Sequence, residues 1–373
     1  MSFFQNLVSF GTTLIKYVYF TIIYLMKNVI MLFFAALLLS CAGAPKEKIG
    51  SENKIAIAQT VPEPEPEPVS FFHRQGDTLP VTSFKEVWGY VLAGQETALR
   101  RDLPITDVGY FGAEVDMYGT LSKVPNRRNL ANFTGKVHMV VTCGNYALTY
   151  FTLMPGSPQR RTLISDLIAA TANFDGLNID FENIPANSGE AFLSFLRELR
   201  AGLGNKMLTI ALYSRTRKLT NDVYDYEKIT PLVDKIFVMG YDEHWGGGTA
   251  GPVASLRWCR SVADYSLRVI GKEKLVMGIP FYGRAWVDQN HHRALVYSTT
   301  ERLINTYRAD VKRENGIATF DYKATVSVKV YYEDEYSISS RLEMYKSMGV
   351  NAVGFWRIGQ ETPRVWETIK ITN

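Results

Sequence analysis

The stretch that decides the fold is Asp175-Gly176-Leu177-Asn178-Ile179-Asp180-Phe181-Glu182. Its alternation of polar and apolar residues predicts a β-strand, because successive side chains of a strand point to opposite faces. Asn178, Asp180 and Glu182 then share one face, and the apolar residues between them share the other. Burying two carboxylates on an inward face costs free energy, so such residues are usually kept for a function. The alternative is an internal charge network that only orients the barrel. The stretch therefore predicts a functional site at a strand end.

Seven further apolar runs resemble buried parallel strands, which are covered on both faces and read as continuous rather than alternating. Segments with helical spacing separate them, so the fold predicted is α/β, a (β/α)8 TIM barrel. A doubly wound sheet is the rival, but no glycine-rich phosphate turn follows the first strand. The runs begin near Val87, Val108, Val137, Leu208, Lys235, Leu275 and Ala352.

Two connections depart from a regular barrel. The first is too short for a full helix, and the one between strands seven and eight is too long. We therefore expect a small α+β insertion at about 287–333, with the run TVSVKVYY in an antiparallel element. Asn187 and Glu190 have the spacing of a helix capping box. The whole barrel is expected to span 79–373.

The N-terminal segment 1–40 resembles a targeting signal for export. Met26-Lys27-Asn28 precedes an apolar run and then Ser40-Cys41, the pattern of a secretory signal. The end of the run resembles a bacterial lipobox, in which Cys41 becomes the lipidated first residue. Translation is then expected to start at Met26. The alternative is a transmembrane helix at about 17–40, but Lys27 would lie near its middle, which is costly.

The segment 41–78 is expected to be a linker. Its repeat Val61-Pro62-Glu63-Pro64-Glu65-Pro66-Glu67-Pro68 favours an extended, self-repelling polyproline spacer. The chain is thus predicted to be exported to the cell envelope of a bacterium and held at the membrane by a lipid anchor.

Composition excludes some classes of function. The formal net charge is +4, without a basic cluster, which argues against nucleic-acid binding. Cys143 and Cys259 can form a disulfide in an oxidising compartment, but buried free cysteine is the commoner state. His244, His291 and His292 have no common metal-ligand spacing, so no metal site is expected.

The stretch at 175–182 resembles the DxxDxDxE signature of glycoside hydrolase family 18, the chitinase and endo-N-acetylglucosaminidase family. Asp175, Asp180 and Glu182 match three of the four acidic positions, and Asn178 replaces the middle aspartate. This variant, with the WRIGQE run after the last strand, looks most like the bacterial peptidoglycan-active N-acetylglucosaminidase branch.

Three later motifs carry the resemblance through the barrel. Met239-Gly240-Tyr241-Asp242 is similar to the sixth-strand MxYD, the run 278–286 to the seventh-strand motif, and 354–357 to the eighth-strand tryptophan region. The third strand follows its SxGG motif only loosely. The substrate-binding residues that we expect are Trp356, Tyr282, Trp286, Met239, Asp242 and Tyr213. Arg284 either pairs with a carboxylate in the site or caps a strand.

The resemblance implies hydrolysis of a glycan containing β-linked N-acetylglucosamine, with no cofactor and no metal, by a monomer. Family 18 uses the acetamido group of the substrate as nucleophile. Glu182 is then the acid and base, Asp180 orients the acetamide and Tyr241 binds it. Asn178 is expected to donate a hydrogen bond to Asp180, which stays ionised, and Asp175 to be structural. A catalytically inactive, lectin-like protein on the same barrel is the alternative, but Glu182 is present.

Overall fold

The computed structural model describes residues 71–287, 291–323 and 327–372. The expected signal, lipidated cysteine and most of the linker lie outside these residues. Among the residues described, no helix is long and apolar enough to cross a membrane.

Eight parallel strands form a closed barrel, which confirms the predicted fold. Each strand pairs with its neighbours in chain order, and the first pairs in parallel with both the second and the eighth, so no edge is left open. The strands are β1 (Glu86–Leu92), β2 (Asp107–Val115), β3 (Lys136–Cys143), β4 (Gly176–Asp180), β5 (Met207–Tyr213), β6 (Lys235–Met239), β7 (Leu275–Pro280) and β8 (Ala352–Trp356).

Helices cover most of the outside of the barrel. The first connection holds only a 3-10 turn, Glu96–Ala98, as the short spacing predicted, and the last strand is followed by the 3-10 helix Pro363–Thr368. The helices of the barrel and its insertion are α1 (Tyr146–Leu153), α2 (Pro158–Thr171), α3 (Gly189–Gly202), α4 (Tyr226–Ile229), α5 (Leu256–Val269), α6 (Tyr297–Tyr307) and α7 (Glu335–Ser347).

The start of α3 differs from the prediction. Ser188 is the N-cap residue and makes no side-chain capping bond, so the capping box of Asn187 and Glu190 is wrong. A 3-10 turn, Ala186–Ser188, precedes the helix and takes up the residues that the motif would have used. The buried face of the helix is nevertheless the apolar stripe that its spacing indicates, and it includes Phe195.

The insertion is a lobe with a five-stranded antiparallel sheet and helix α6. Its first strand, Tyr282–Val287, follows β7 after a single residue, and it pairs with the strands His291–Val296 and Ser327–Tyr332. The sheet continues through Ile317–Lys323 to Lys312–Glu314. The lobe therefore stands directly above the end of β7.

The barrel has two apolar cores. The larger lies between the barrel and the helices, and it holds the outward side chains of β4, which are Leu177 and Ile179. The smaller fills the barrel interior with residues such as Trp88 and Phe237. The alternation of residues in β4 thus places its polar set inside the barrel, at the level where interior packing gives way to solvent.

Candidate active site

A cavity of about 520 Å³ opens at the carboxyl ends of the barrel strands. This is the face on which TIM barrels carry their sites. The cavity brings together eight residues that the sequence predicted for the site, and four of them are the last residues of their strands. The eight are Asp180, Glu182, Tyr213, Met239, Tyr241, Asp242, Tyr282 and Trp356.

Asp180 is the last residue of β4 and is only 7% exposed. One of its carboxylate oxygens has no hydrogen-bond partner. Burial, and then the charge of Glu182, raise the pKa of Asp180 to about 8. Both effects oppose ionisation of Asp180, so the expectation that it stays ionised through the reaction depends on groups that a bound substrate would bring.

Asn178 does not make the bond that the sequence suggested. Its amide donates to the Thr209 hydroxyl at 2.8 Å, and its carbonyl accepts from the Tyr90 hydroxyl at 3.3 Å. Thr209 is its direct partner across the β4–β5 pair, so this hydroxyl is the nearest acceptor. Asn178 is fully buried below the cavity and helps to leave Asp180 without a donor.

Glu182 follows the end of β4 and is exposed to solvent within the cavity. The Tyr213 hydroxyl donates to its carboxylate at 3.0 Å and also to its backbone carbonyl at 3.0 Å. The pKa of Glu182 is raised, first by desolvation between the cavity walls; the bond from Tyr213 lowers it and the charge of Asp242 raises it. Glu182 therefore stays protonated to a higher pH than an ordinary glutamate does.

Asp242 connects the barrel to the lobe. Its backbone has a left-handed φ of +61°, which turns the chain after β6. Its carboxylate accepts from the Tyr282 hydroxyl at 2.6 Å and from Arg284 Nη2 at 2.6 Å and Nε at 3.0 Å. Of the two possibilities for Arg284, the structure shows the pairing with a site carboxylate.

Tyr241 and Trp356 are two of the aromatic residues that line the cavity. Burial raises the pKa of Tyr241 well above its usual value, so its hydroxyl is a neutral hydrogen-bond donor at any ordinary pH. Trp356 ends β8, precedes a cis peptide bond to Arg357, and packs edge-on against Phe111 with ring centroids 5.1 Å apart. A partly exposed indole in this place offers a flat apolar surface to a ligand.

Two predicted residues lie elsewhere. Trp286 does not line the cavity; it is 2% exposed and buried in the lobe beside Ile317 and Tyr331, so its assignment to substrate binding is wrong. Its strand turns that side chain into the lobe's interior. Asp175 accepts the Val137 backbone N–H at 2.8 Å at the opposite end of β4, as expected of a structural residue.

The sequence missed several residues that line the cavity. Their signal was their place on predicted strands or in the lobe, and Gln360 also lies in the WRIGQE run. Cys143 is one of them; it and Cys259 are buried and free, so the possible disulfide is absent. The others include Tyr90, Phe111, Thr142, Asn183, Ala211, Phe237, Leu295 and Gln360.

Metal ligation has no support among the described residues, which contain no cluster of three or more histidine, cysteine or acidic side chains able to hold an ion. What the geometry offers is two neighbouring carboxyls of raised pKa, a tyrosine donor and an indole. Together with the barrel, these features define a class of site: a pocket at the carboxyl ends of barrel strands whose groups can donate and accept protons.

Comparison with known proteins gives the family. The family model described as glycosyl hydrolases family 18 matches residues 91–361, and the chain belongs to this family. Among curated proteins, the uncharacterized glycosylase YvbX of Bacillus subtilis is 28% identical over 215 residues, 54% of this chain and 62% of that protein. The cortical fragment-lytic enzyme of Bacillus anthracis is 23% identical over 289 residues, 71% and 67% of the two chains.

Solved structures show the same fold. The spore cortex-lytic enzyme SleL of Bacillus cereus has a TM-score of 0.70 and 22% identity, covering 79% of this chain and 76% of that one. The chitinase of Chromobacterium violaceum has a TM-score of 0.69 and 22% identity, covering 76% and 97%. The match to YvbX, and that to the sporulation-specific glycosylase YdhD, spans only about three-fifths of the relative's own length.

Proposed function

We propose that this protein hydrolyses glycans containing β-linked N-acetylglucosamine, of the peptidoglycan or chitin type, by a substrate-assisted retaining mechanism with Glu182 as acid and base. The observation that carries the proposal is the pair of Asp180 and Glu182, two carboxyls of raised pKa on the floor of one cavity beside Tyr241 and Trp356. A general acid must hold its proton near the working pH, and this pair meets that requirement.

The geometry also favours an internal nucleophile supplied by the substrate. A retaining enzyme of the ordinary kind needs a second carboxylate to attack the sugar. The third carboxylate lining the cavity, Asp242, already accepts bonds from Tyr282 and Arg284. Asp180 is almost fully buried at the end of its strand. An acetamido group on the sugar can supply the attacking oxygen in their place.

The steps follow from this arrangement. Glu182 protonates the glycosidic oxygen while the acetamido carbonyl attacks the anomeric carbon, and the leaving sugar departs. Asp180 accepts the acetamide N–H once it is ionised, and its charge stabilises the cationic oxazolinium-like intermediate. Tyr241 donates a hydrogen bond to the acetamide and holds it in line, and Trp356 supplies the floor on which the sugar ring stacks. Glu182 then takes a proton from water, which opens the intermediate.

The raised pKa of Asp180 fits this scheme. Burial and the charge of Glu182 raise it to about 8. An acetamide N–H directed at the carboxylate oxygen that now lacks a partner would stabilise the ionised form and lower that pKa. Substrate binding therefore favours ionised Asp180 beside protonated Glu182, which is the state that the first step requires.

The relatives support a substrate in the bacterial envelope. The curated set includes cortical fragment-lytic enzymes, and the structural set includes spore cortex-lytic enzymes and chitinases. The proposed export and lipid anchoring at Cys41 would place the barrel next to the cell's own peptidoglycan, which favours this polymer over chitin.

The test is digestion of purified peptidoglycan and of chitooligosaccharides by the wild type and by Glu182→Gln. We expect the variant to lose about 100-fold or more in kcat, since general acid–base catalysis contributes about that much, and to keep its binding affinity. Glu190→Gln, an exposed carboxylate at the start of α3, is the matched control and should cut like the wild type. Wild-type products should first appear with the β-anomeric configuration.

Two outcomes would contradict the proposal. If Glu182→Gln cuts as fast as the wild type, Glu182 is not the acid. If the wild type binds these glycans and cuts none of them, the protein is a lectin-like binder rather than an enzyme.

A further inference from the structure

Arg357 follows Trp356, the last residue of β8. Trp356 and Gln360, which stand on either side of it in the chain, both line the cavity. The backbone N–H of Ile358 donates to the carbonyl of Tyr90 at 3.1 Å, and Tyr90 is another residue of the cavity wall. The chain that carries Arg357 is therefore fixed against β1 at the rim of the cavity.

The guanidinium of Arg357 is half-buried and has no carboxylate partner among the described residues. Its Nη1 donates to the side-chain oxygen of Gln95, which carries no charge. Burial lowers the pKa of Arg357 below its usual value, and no nearby carboxylate raises it. A partly desolvated cation without a counter-ion costs free energy, so such a group is usually kept for a function.

Two acidic residues near the guanidinium already have other partners. Glu361, four positions further along the chain, accepts from the backbone of Gly359 at 2.7 Å and from the Trp366 indole at 2.9 Å. Glu96 follows the glutamine that is bonded to the guanidinium, and it accepts from the Tyr110 hydroxyl. Neither carboxylate pairs with the guanidinium, so a partner for this cation has to come from outside the described chain.

The cavity itself has more acidic than basic groups. Asp180, Glu182 and Asp242 line it, and its arginine, Arg284, is paired with Asp242. An anionic group on a substrate is therefore disfavoured inside the cavity and favoured beside the cation of Arg357 at the rim.

The two polymers of the proposed function differ in an anionic group. Chitin consists of neutral N-acetylglucosamine. In peptidoglycan every second sugar is N-acetylmuramic acid, whose 3-O-lactyl group ends in a carboxyl that is either free or joined to a stem peptide. Whichever of the two sugars stacks on Trp356, a lactyl group lies on that sugar or on its neighbour. A peptidoglycan strand therefore carries a carboxylate, lactyl or peptide, close to the sugar in the cavity.

We infer that Arg357 binds a carboxylate carried by a muramyl residue of the strand and that it thereby selects peptidoglycan over chitin. This inference rests on the proposed function and narrows its substrate class. The planar guanidinium forms two parallel hydrogen bonds with a carboxylate, and these bonds are strong because both groups are charged.

The experiment compares three preparations of glycan strand of equal length. In the first the peptides are removed and the lactyl carboxyls are free, in the second these carboxyls are converted to methyl amides, and the third keeps its peptides. The amide strand is the neutral reference. For the wild type, we expect kcat/KM to be higher for a strand that carries the recognised carboxylate than for the amide strand.

Arg357→Gln should lower this ratio about 10-fold, since hydrogen bonds to a charged group are lost. Arg357→Lys should keep part of the ratio, because it keeps the charge but not the paired geometry. Arg101→Gln, which removes an exposed arginine, is the matched control and should keep the wild-type ratio. A loss for the free-acid strand assigns the lactyl carboxylate, and a loss for the peptide-bearing strand assigns a carboxylate of the peptide.

Binding measurements separate this inference from the proposed function. Dissociation constants for the same strands are measured by calorimetry with Glu182→Gln and with the double variant that adds Arg357→Gln. If the wild type cuts no strand but the double variant loses the preference for charged strands, the proposed function fails and carboxylate recognition stands. If the strands are cut with dependence on Glu182 and both ratios for Arg357→Gln equal those for Arg101→Gln, the function stands and this inference is overturned. A melting temperature close to that of the wild type shows that each variant is folded.

Discussion

Glu182 lies between a hydroxyl that stabilises its ionised form and a carboxylate that opposes it. Strand alternation and the carboxyl-end rule predicted that Asp180 and Glu182 would share a face at the mouth of the barrel. The resemblance to the family implied that Tyr241 and Trp356 would join them. The sequence did not predict which hydrogen bonds they make. The choice of Thr209 rather than Asp180 as the acceptor for Asn178 depends on the register of β4 against β5, which no local pattern specifies.

Asp242 should set the upper pH limit of activity. Its negative charge raises the pKa of Glu182, because a like charge nearby disfavours the ionised form. Asp242→Asn removes this charge and leaves Arg284 without its counter-ion, and both changes lower the pKa of Glu182. The protonated acid is then lost at a lower pH, and the basic limb of kcat/KM should move down by about half a unit to one unit.

The measurement is kcat/KM for one oligosaccharide between pH 4 and 9. Tyr282→Phe is the control, since it removes a hydrogen bond to Asp242 but keeps the charge, and its basic limb should stay closer to that of the wild type. A basic limb for Asp242→Asn that stays in place or moves upward would show that Asp242 does not act on the acid electrostatically.

The strands were easier to predict than the helix starts. A buried parallel strand is a continuous apolar run with clear limits, and β4, β6, β7 and β8 begin at the residues where the runs begin. A helix start depends instead on one or two hydrogen bonds near its first turn. The predicted cap of α3 failed because a 3-10 turn precedes the helix and displaces Asn187 from the capping position.

Helix α3 should control the stability of the end of β4, which carries Asp180 and Glu182. Phe195 is fully buried, and its ring stacks on that of Phe181 with centroids 5.9 Å apart; Phe181 lies between Asp180 and Glu182 in the chain. Phe195→Ala leaves a cavity at this contact and should cost about 3–5 kcal/mol of unfolding free energy. Urea unfolding followed by circular dichroism measures the loss.

The matched control on the same helix is Arg197→Ala, which changes an exposed side chain and should stay within about 0.5 kcal/mol of the wild type. If the two variants unfold at the same urea concentration, the contact between Phe195 and Phe181 does not carry the stability assigned to it.

The whole molecule assembles its site from parts that are distant in sequence. The cavity takes residues from the ends of barrel strands and from Leu295 in the lobe, and Arg284 of the lobe binds Asp242 of the barrel. The sequence predicted a lobe at the right place in the strand order. It did not predict that the lobe forms a wall of the site, because the position of one sheet over another is decided by packing between them.

Attachment of the whole protein to the membrane remains a prediction from the sequence. Cys41 and the apolar run at about 17–40 both lie before residue 71, outside the residues that the structure describes. If Cys41 carries the lipid, Cys41→Ser should move the protein from the membrane fraction to the soluble envelope fraction and abolish labelling by a radioactive fatty acid.

Cys259→Ser is the matched control, since this cysteine is fully buried in the barrel domain and should leave fractionation and labelling as they are in the wild type. A Cys41→Ser protein that stays in the membrane fraction would instead support the alternative, an uncleaved apolar helix at about 17–40. Fractionation of Cys41→Ser thus distinguishes lipid attachment from a spanning helix, because only lipid attachment depends on the thiol of Cys41.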